Sequence, residues 1–152
     1  MTISATDFHL AHANVARMRG SYDDSIMEGF VARLDPLNEI ADDSPGFIWR
    51  YSEDEGDTSV IDAFGDPQIL FNMSVWESVD ALEDYAYRSD HIEAVRKRME
   101  WFERPTKSPF VLWWIPVGHT PNVVEAKMRL ELLWQIGPTD KAFTFRQRFS
   151  PT

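Results

Sequence analysis

The chain has 152 residues, of which 43% are hydrophobic and 26% charged, so we expect one folded domain over residues 1–152 rather than a disordered chain, a collagen-like repeat or a coiled coil. It contains no cysteine, which excludes a disulfide framework, a thiolate metal site and a cysteine nucleophile. The net charge of −10 arises in residues 1–87, which hold eighteen acidic and four basic residues, and phosphate backbones repel such a chain, so we expect no nucleic-acid partner.

Apolar runs and turn residues predict the secondary structure in chain order. The predicted elements are a strand over Phe8–Val15, a helix from Asp24 or Ser25 to about Ile40, strands over Phe47–Tyr51 and Ile69–Trp76, helices over Glu77–Arg88 and His91–Phe102, a strand over Phe110–Ile115, a helix over Asn122–Ile136 and a short strand over Phe143–Phe149. Pro36 predicts a kink or an interruption in the first helix, because proline removes a backbone donor. The acid-rich residues 52–68 predict a solvated connection between strands.

The order of these elements is β-α-β-β-α-β, followed by an extra helix and strand. This order is typical of the ferredoxin-like split βαβ fold, an α+β arrangement with helices on one face of an antiparallel sheet. One face of the strand Ile69–Trp76 is wholly apolar and includes Phe71 and Met73. A second copy of the chain is the simplest cover for such a face, so we expect a homodimer that pairs through it.

Residues 119–152 extend beyond the minimal ferredoxin-like unit. The helix predicted there carries Val124, Met128 and Leu132 on one stripe, which we expect to pack on the body of the dimer. We also expect this extension to close one end of a ligand pocket, with Phe143-x-Phe145 pairing as an edge strand. The alternative is a structural brace without a part in ligand access.

Polar side chains interrupt two of the predicted strands. Asn72 and Ser74 share one face of the third strand with Trp76, and His12 and Asn14 share one face of the first strand. Buried amides and hydroxyls need hydrogen bonds, either to backbone groups of loops and helix ends or to a ligand. Both interpretations stay open, and the 13% aromatic content fits a bulky core or subunit interface as well as an apolar pocket.

Two family resemblances bear on function. The motif N-x-x-x-W-E-S at residues 72–78, followed by an amphipathic helix and by S-D-H at residues 89–91, resembles the third strand and following helix of antibiotic-biosynthesis-monooxygenase-like proteins. The segments HLAHANVARMR, SPGFIWR, NMSVWESV, YRSDH, EWFE and LWWIPVGH resemble a bacterial family known as domain of unknown function 3291, which has no settled activity. The first resemblance implies a dimeric α+β barrel of ferredoxin-like protomers.

The monooxygenase-like resemblance implies a cofactor-independent enzyme that oxygenates, isomerises or cyclises an apolar aromatic or polyketide-like molecule in a pocket between sheet and helices. It implies that Asn72 and Trp76 lie in this pocket, where an amide stabilises a developing enolate oxygen and an aromatic wall orients the ring. Members of that group often carry histidine where this chain has Tyr85, so Tyr85, Tyr87 and His91 all remain candidates for proton transfer.

The candidate residues therefore form two groups. The candidate catalytic residues are Asn72, Trp76, Tyr85 and His91, and the candidate ligand-binding residues are His12, Asn14, Arg17, Trp49, Arg50, Ser74, Tyr87, Trp101 and Trp114. Arg17 and Arg50 either pair with an anionic ligand or neutralise neighbouring acids. The alternative functions are a non-catalytic protein that binds a hydrophobic ligand and a heme protein in which Asn14, Trp76 and His91 imitate the heme-degrading members of the superfamily.

We expect no metal site, no membrane segment and a cytoplasmic location. His9 and His12 lie three residues apart on a strand, so their side chains point to opposite sides of the sheet. The acidic residues 53–57 lack the 12-residue pattern of a calcium loop. No stretch of 18 apolar residues occurs, and no basic segment followed by an apolar one opens the sequence.

Overall fold

The computed structural model describes residues 7–53, 56–87 and 96–151. Four strands form one antiparallel sheet in the order β2-β3-β1-β4. The strands are β1 (Phe8–Arg17), β2 (Phe47–Arg50), β3 (Ile69–Trp76) and β4 (Phe110–Pro116). This order, with β1 and β3 as the inner strands, confirms the predicted ferredoxin-like α+β fold.

The helices largely begin and end where polar residues and glycine predict. They are α1 (Glu28–Asp42), α2 (Ser59–Phe64), α3 (Val79–Ala86), α4 (residues 96–101) and α5 (Val123–Ile136). The side chains of Ser78 and Asn122 accept backbone hydrogen bonds at the starts of α3 and α5. The helix α1 continues through Pro36, so the predicted interruption does not occur. Within the described residues, no helix is long and apolar enough to cross a membrane.

The pairing of β1 with β3 sorts their side chains into two faces. Leu10, His12 and Asn14 lie directly opposite Trp76, Ser74 and Asn72, and we call the face that these six residues share the polar face. Ala11, Ala13 and Val15 lie opposite Val75, Met73 and Phe71 on the other face, which we call the apolar face. The alternation of side chains along each strand predicts which residues share a face. The register between β1 and β3 then brings the polar residues of the two strands together.

The chain covers its own apolar face. The helix α5 packs there with Val123, Ala126, Leu130 and Leu133, and α2 adds Val60. Met73 and Trp113 are fully buried beneath them. The helices α1 and α3 lie on the polar face, as the ferredoxin-like arrangement requires. Because α5 and α2 fill the apolar face, the reason given for pairing two copies through Phe71 and Met73 does not hold.

Of the three residues in the expected α5 stripe, Leu132 packs against the buried cluster on the apolar face, and the other two face outward in the single chain. Val124 and Met128 are exposed, whereas Leu130 and Leu133 meet the sheet. Packing of Val124 and Met128 on a dimer stays a prediction, and α5 carries apolar residues on two sides whose periodicity does not say which side the sheet will bury.

The acid-rich connection between β2 and β3 contains the helix α2, so the predicted solvated connection is wrong for residues 59–64. The carboxylate of Asp57 accepts hydrogen bonds from the backbone N–H and the hydroxyl of Ser59, at 2.9 and 2.6 Å. The Tyr51 hydroxyl donates to the same carboxylate at 2.8 Å. An acid that binds the first residue of a helix and a tyrosine was therefore mistaken for one that only faces solvent.

The predicted last strand is reduced to one backbone pair. Phe143 and Leu112 exchange two hydrogen bonds of 2.8 and 2.9 Å, which places the Phe143 side chain on the polar face. Turns at residues 139–142 and 144–147 reverse the chain on either side, so Phe145 does not continue the pairing.

We expect the Tyr51 phenol to lose its proton at an unusually high pH. Burial of the phenol first, and then its hydrogen bond to Asp57, raise the pKa of Tyr51 to about 12. The unfolded chain releases this proton near its ordinary pKa of about 10, so the stabilisation is complete below about pH 10 and is lost as the pH rises toward about 12. The difference in tyrosinate absorbance between wild type and Tyr51→Phe measures the titration. A midpoint near 10 for this difference would contradict the expectation.

Candidate functional site

The polar face has an amide pair at its centre. Asn14 of β1 and Asn72 of β3 are direct cross-strand partners, which places their Cβ atoms about 4.5–5.5 Å apart. In the part of the chain that the structure describes, neither carboxamide makes a hydrogen bond. The interpretation in which these side chains bind backbone groups of loops or helix ends is therefore not supported. Asn72 is exposed although it lies on an inner strand and faces the helices. Solvent, or a ligand, therefore reaches the sheet at this point.

Apolar clusters flank the amide pair on both sides along β3. Toward one end of the strand, Trp76 packs with Leu112 and with Leu82 of α3. Toward the other end, Leu70 packs with Phe30 of α1. The amide pair thus lies between two apolar clusters of the polar face, a mixture of polar and apolar groups that is usual at small-molecule sites.

A chain of hydrogen bonds links three buried residues next to the amide pair. The indole N–H of Trp76 donates to Ser74 Oγ at 2.8 Å, and Ser74 Oγ lies 3.0 Å from Nδ1 of His12. The Ser74 hydroxyl can either donate to Nδ1 of His12 or accept from it, because its oxygen has a second lone pair beside the one that receives the indole N–H. Strand parity put these residues on one face, but only the register shows that they meet.

Trp76 is packed against other side chains and does not line an open space. Its ring is fully buried, stacks on Tyr85 at a centroid distance of 5.2 Å and meets the edge of Phe47 at 5.4 Å. The Tyr85 hydroxyl donates to the backbone oxygen of Leu37 at 3.4 Å, so it is directed at α1. A heme against Trp76 has no free ring face to contact, and the described residues do not favour the heme alternative.

An aromatic wall stands beside Asn14. Phe110 of β4 lies directly opposite Asn14, and its ring centroid lies 5.0 Å from those of His12 and Phe145. Phe145 belongs to the C-terminal tail, residues 137–151, which crosses from the edge of β4 onto the polar face. The tail, and not α5, therefore borders the candidate site.

The end of the tail is held to the protein by polar contacts. Arg148 forms ion pairs with Glu83 and Asp80 of α3. The indole N–H of Trp114 donates to the backbone oxygen of Phe149 at 2.7 Å. Trp114, a candidate ligand-binding residue, thus contributes by fixing the tail.

Both candidate arginines are paired with acids of the chain. Arg17 Nε donates to Asp66 at 2.8 Å and its guanidinium also pairs with Glu103. Arg50, next to Ser74 on the polar face, donates to Asp42 at 2.8 Å. These contacts agree with the alternative in which the arginines neutralise neighbouring acids.

The remaining candidates do not join the amide pair. Trp49 packs in the cluster on the apolar face. Trp101 is buried in the cluster beside α1, and Tyr87 is 62% exposed at the end of α3. His91 lies outside the described residues, so its role stays a prediction.

Surface clefts lie elsewhere on the molecule. One of about 630 Å³ lies between residues 107–108 and the end of α5, and one of about 360 Å³ lies between the end of β2 and the start of α5. Neither includes Asn14 or Asn72, and both are open to solvent. Among the described residues, no group of three His, Asp or Glu side chains could hold a metal ion.

A family model described as domain of unknown function (DUF3291) matches residues 9–152. The chain belongs to the DUF3291 family. This membership confirms the resemblance carried by the segments from HLAHANVARMR to LWWIPVGH. Among curated proteins, none matches this DUF3291 chain.

Solved structures resemble this DUF3291 protein at low sequence identity. A conserved protein from Methanosarcina mazei Go1 matches with a TM-score of 0.50 and 12% identity, over 74% of this chain and 95% of that one. SnoaB, a cofactor-independent oxygenase from Streptomyces nogalater, matches at 0.46 and 14%, over 74% and 95%. A protein of unknown function from Nitrosomonas europaea matches at 0.49 and 7%, over 77% and 96%. The first supports the chain path of the fold, and no chemistry transfers at these identities.

Proposed function

We propose that this DUF3291 protein is an enzyme of the antibiotic-biosynthesis-monooxygenase-like type that acts on an apolar aromatic or polyketide-like molecule held on the polar face. One observation carries the proposal. Asn14 and Asn72 lie side by side with carboxamides that make no hydrogen bond in the described chain, and Asn72 is exposed on an inner strand beneath the helices. The two carboxamides are open to solvent, and a bound ligand would take the place of that water.

The amide pair suits a ligand oxygen that gains negative charge. Asn14 and Asn72 are close enough for both carboxamides to donate to one atom. Donors aimed at an enolate or phenolate oxygen stabilise a substrate that has lost a proton. The rings of Phe110 and Phe145 lie beside the pair and fit a flat ring system. Enolate formation precedes oxygenation by dioxygen, isomerisation and cyclisation alike, and the substrate decides which follows.

His12 with Ser74 is the proton acceptor that the described polar face supports best. The proposed step requires the His12 tautomer that carries its proton on Nε2: the substrate proton passes to Ser74 Oγ while the Ser74 proton passes to His12 Nδ1, leaving an enolate and an imidazolium. The hydroxyl of Tyr85 is directed at α1, and Tyr87 is exposed at the end of α3. His91 remains a second candidate.

The proposal is tested with anthrone, an enolisable tricyclic aromatic ketone. We expect the protein to bind anthrone and to accelerate its reaction with dioxygen to anthraquinone and water, followed by oxygen uptake and absorbance. Asn14→Ala and Asn72→Ala should each lower kcat/KM by about 10–150-fold, because a hydrogen bond to a charged group contributes about 1.5–3 kcal/mol.

Gln135→Ala is the matched control, because it removes an exposed carboxamide from α5 on the other side of the sheet. This variant should keep the wild-type kcat/KM. Anthrone binding without turnover, lost in both asparagine variants, would indicate the alternative of a non-catalytic ligand-binding protein. Wild-type activity in Asn72→Ala, or neither binding nor turnover in the wild type, would count against the site.

A further inference from the structure

One arginine joins the C-terminal tail to the helix α3. The Nε–H of Arg148 donates to the backbone oxygen of Phe145 at 3.0 Å, and its guanidinium carbon lies 5.5 Å from the centre of the Phe145 ring. The same guanidinium pairs with the carboxylate of Glu83 on α3. Arg148 therefore contacts both the backbone and the ring of Phe145, and it connects them to α3.

The two acids near Arg148 do not contribute equally. Asp80 lies 3.9 Å from Nη1 and its side chain is 88% exposed, so this pair contributes little. The Glu83 side chain is 32% exposed and binds the guanidinium directly. Glu83 is thus the main acidic partner of Arg148, and it belongs to a helix whose Leu82 packs in one cluster with Trp76.

The position of the Phe145 ring affects the shape of the candidate site. Its centroid lies 5.0 Å from that of Phe110, which stands directly opposite Asn14. Within the described residues, the one polar contact of Phe145 is the hydrogen bond that its backbone oxygen accepts from Arg148. Apart from ring packing, Arg148 is therefore what fixes Phe145.

We propose that Arg148 is a positioning residue for the ligand on the polar face, because it binds Glu83 and Phe145 together and so fixes the aromatic wall beside the amide pair. A wall that is ordered before the ligand arrives costs less entropy on binding. Arg148 acts through Phe145, so it affects the affinity for the ligand and not the chemical step. This role in binding rests on the proposed function, whereas the attachment of the tail is measured without ligand.

Two other contacts hold the tail on either side of this region. Phe143 is fully buried and exchanges two backbone hydrogen bonds with β4, and the backbone oxygen of Phe149 accepts from the indole of Trp114. Exposed ion pairs contribute little to global stability. Loss of the Arg148 guanidinium should therefore loosen residues 144–148 and leave the fold intact.

Hydrogen–deuterium exchange with mass spectrometry tests the attachment without ligand. Arg148→Met keeps a long apolar stem and removes the guanidinium, and we expect exchange over residues 144–148 to become about threefold to tenfold faster. Wild type in about 1 M NaCl should approach the variant, because the Debye length falls to about 3 Å, and the variant should not respond to salt. Arg146→Met is the matched control, since the Arg146 side chain is exposed and makes no hydrogen bond or ion pair within the described residues.

Anthrone kinetics test the positioning role. Arg148→Met should raise KM about twofold to fivefold and leave kcat within about twofold, and where anthrone binds without turnover its dissociation constant replaces KM. Glu83→Arg should raise KM as well, because it repels Arg148. Adding Arg148→Glu to it should recover part of the affinity, because the pair forms again with its charges exchanged. A variant that only lost stability would show neither the split between KM and kcat nor this recovery.

The outcomes separate this inference from the proposed function. Unchanged exchange over residues 144–148 in Arg148→Met overturns the positioning role at its first step. Faster exchange together with wild-type affinity for anthrone overturns the positioning role alone. A wild type that neither binds nor converts anthrone overturns the proposed function, and with it the role in binding, even where Arg148 is shown to hold the tail.

Discussion

Ser74→Ala is expected to lower the free energy of unfolding by about 2–5 kcal/mol, because a buried polar group without a partner costs about 1–3 kcal/mol and this hydroxyl serves two. The indole N–H of Trp76 and Nδ1 of His12 both lose their bond to Ser74. Neither side chain can turn to water, since both are buried. Urea unfolding followed by circular dichroism measures the change.

Ser52→Ala is the control for this substitution. Ser52 is exposed, and its hydroxyl makes no hydrogen bond within the described residues, so its loss should change stability by less than about 0.5 kcal/mol. Trp76→Phe keeps most of the ring and removes the indole donor. The double variant of Ser74 and Trp76 should cost less than the sum of the single variants, because both break the same bond. Full additivity, or a stable Ser74→Ala, would show that the chain of hydrogen bonds is not formed.

The sequence predicted those parts of the fold that depend on local signals. The strand Ile69–Trp76 and the helix beginning at Asn122 were found because alternation and capping act within a few residues. The six-residue helix α2 was missed because its acidic start resembles a solvated loop. The parity of His12, Asn14, Asn72 and Ser74 was predicted, but their meeting depends on a register between strands 62 residues or so apart in sequence, and no local pattern sets that register.

The packing of α5 shows what the periodicity of apolar residues cannot predict, namely which side of the helix is buried. Its two apolar sides differ by one residue in phase, as Val123 and Val124 illustrate, and only the shape of the sheet decides which is buried. Because α5 covers the apolar face, the proposed chemistry belongs to the amide pair on the polar face. The C-terminal tail connects the two sides of the sheet by passing around the edge of β4.

The C-terminal tail gives the second large effect on stability that we expect. Two of its phenylalanines, Phe143 and Phe145, differ in burial, so their substitution should have different costs. Phe143 is fully buried beside Leu112, so Phe143→Ala should lower the free energy of unfolding by about 3–5 kcal/mol. Phe145 is half-buried against Phe110, so Phe145→Ala should cost only about 1 kcal/mol. Urea unfolding of the two variants measures both values under one set of conditions.

Anthrone binding then distinguishes a tail that only stabilises the fold from a tail that also forms one wall of the candidate site. Phe145→Ala removes the ring that stands with Phe110 beside Asn14, so we expect anthrone to bind about 2–10-fold more weakly, in line with about 0.5–1.5 kcal/mol for an aromatic pair. Fluorescence titration without urea compares the anthrone affinity of the wild type with that of Phe145→Ala, under conditions in which both proteins are folded. If Phe145→Ala binds anthrone like the wild type, the tail is a structural brace alone. A weakened affinity with the fold retained makes Phe145 a determinant of the ligand that the polar face accepts.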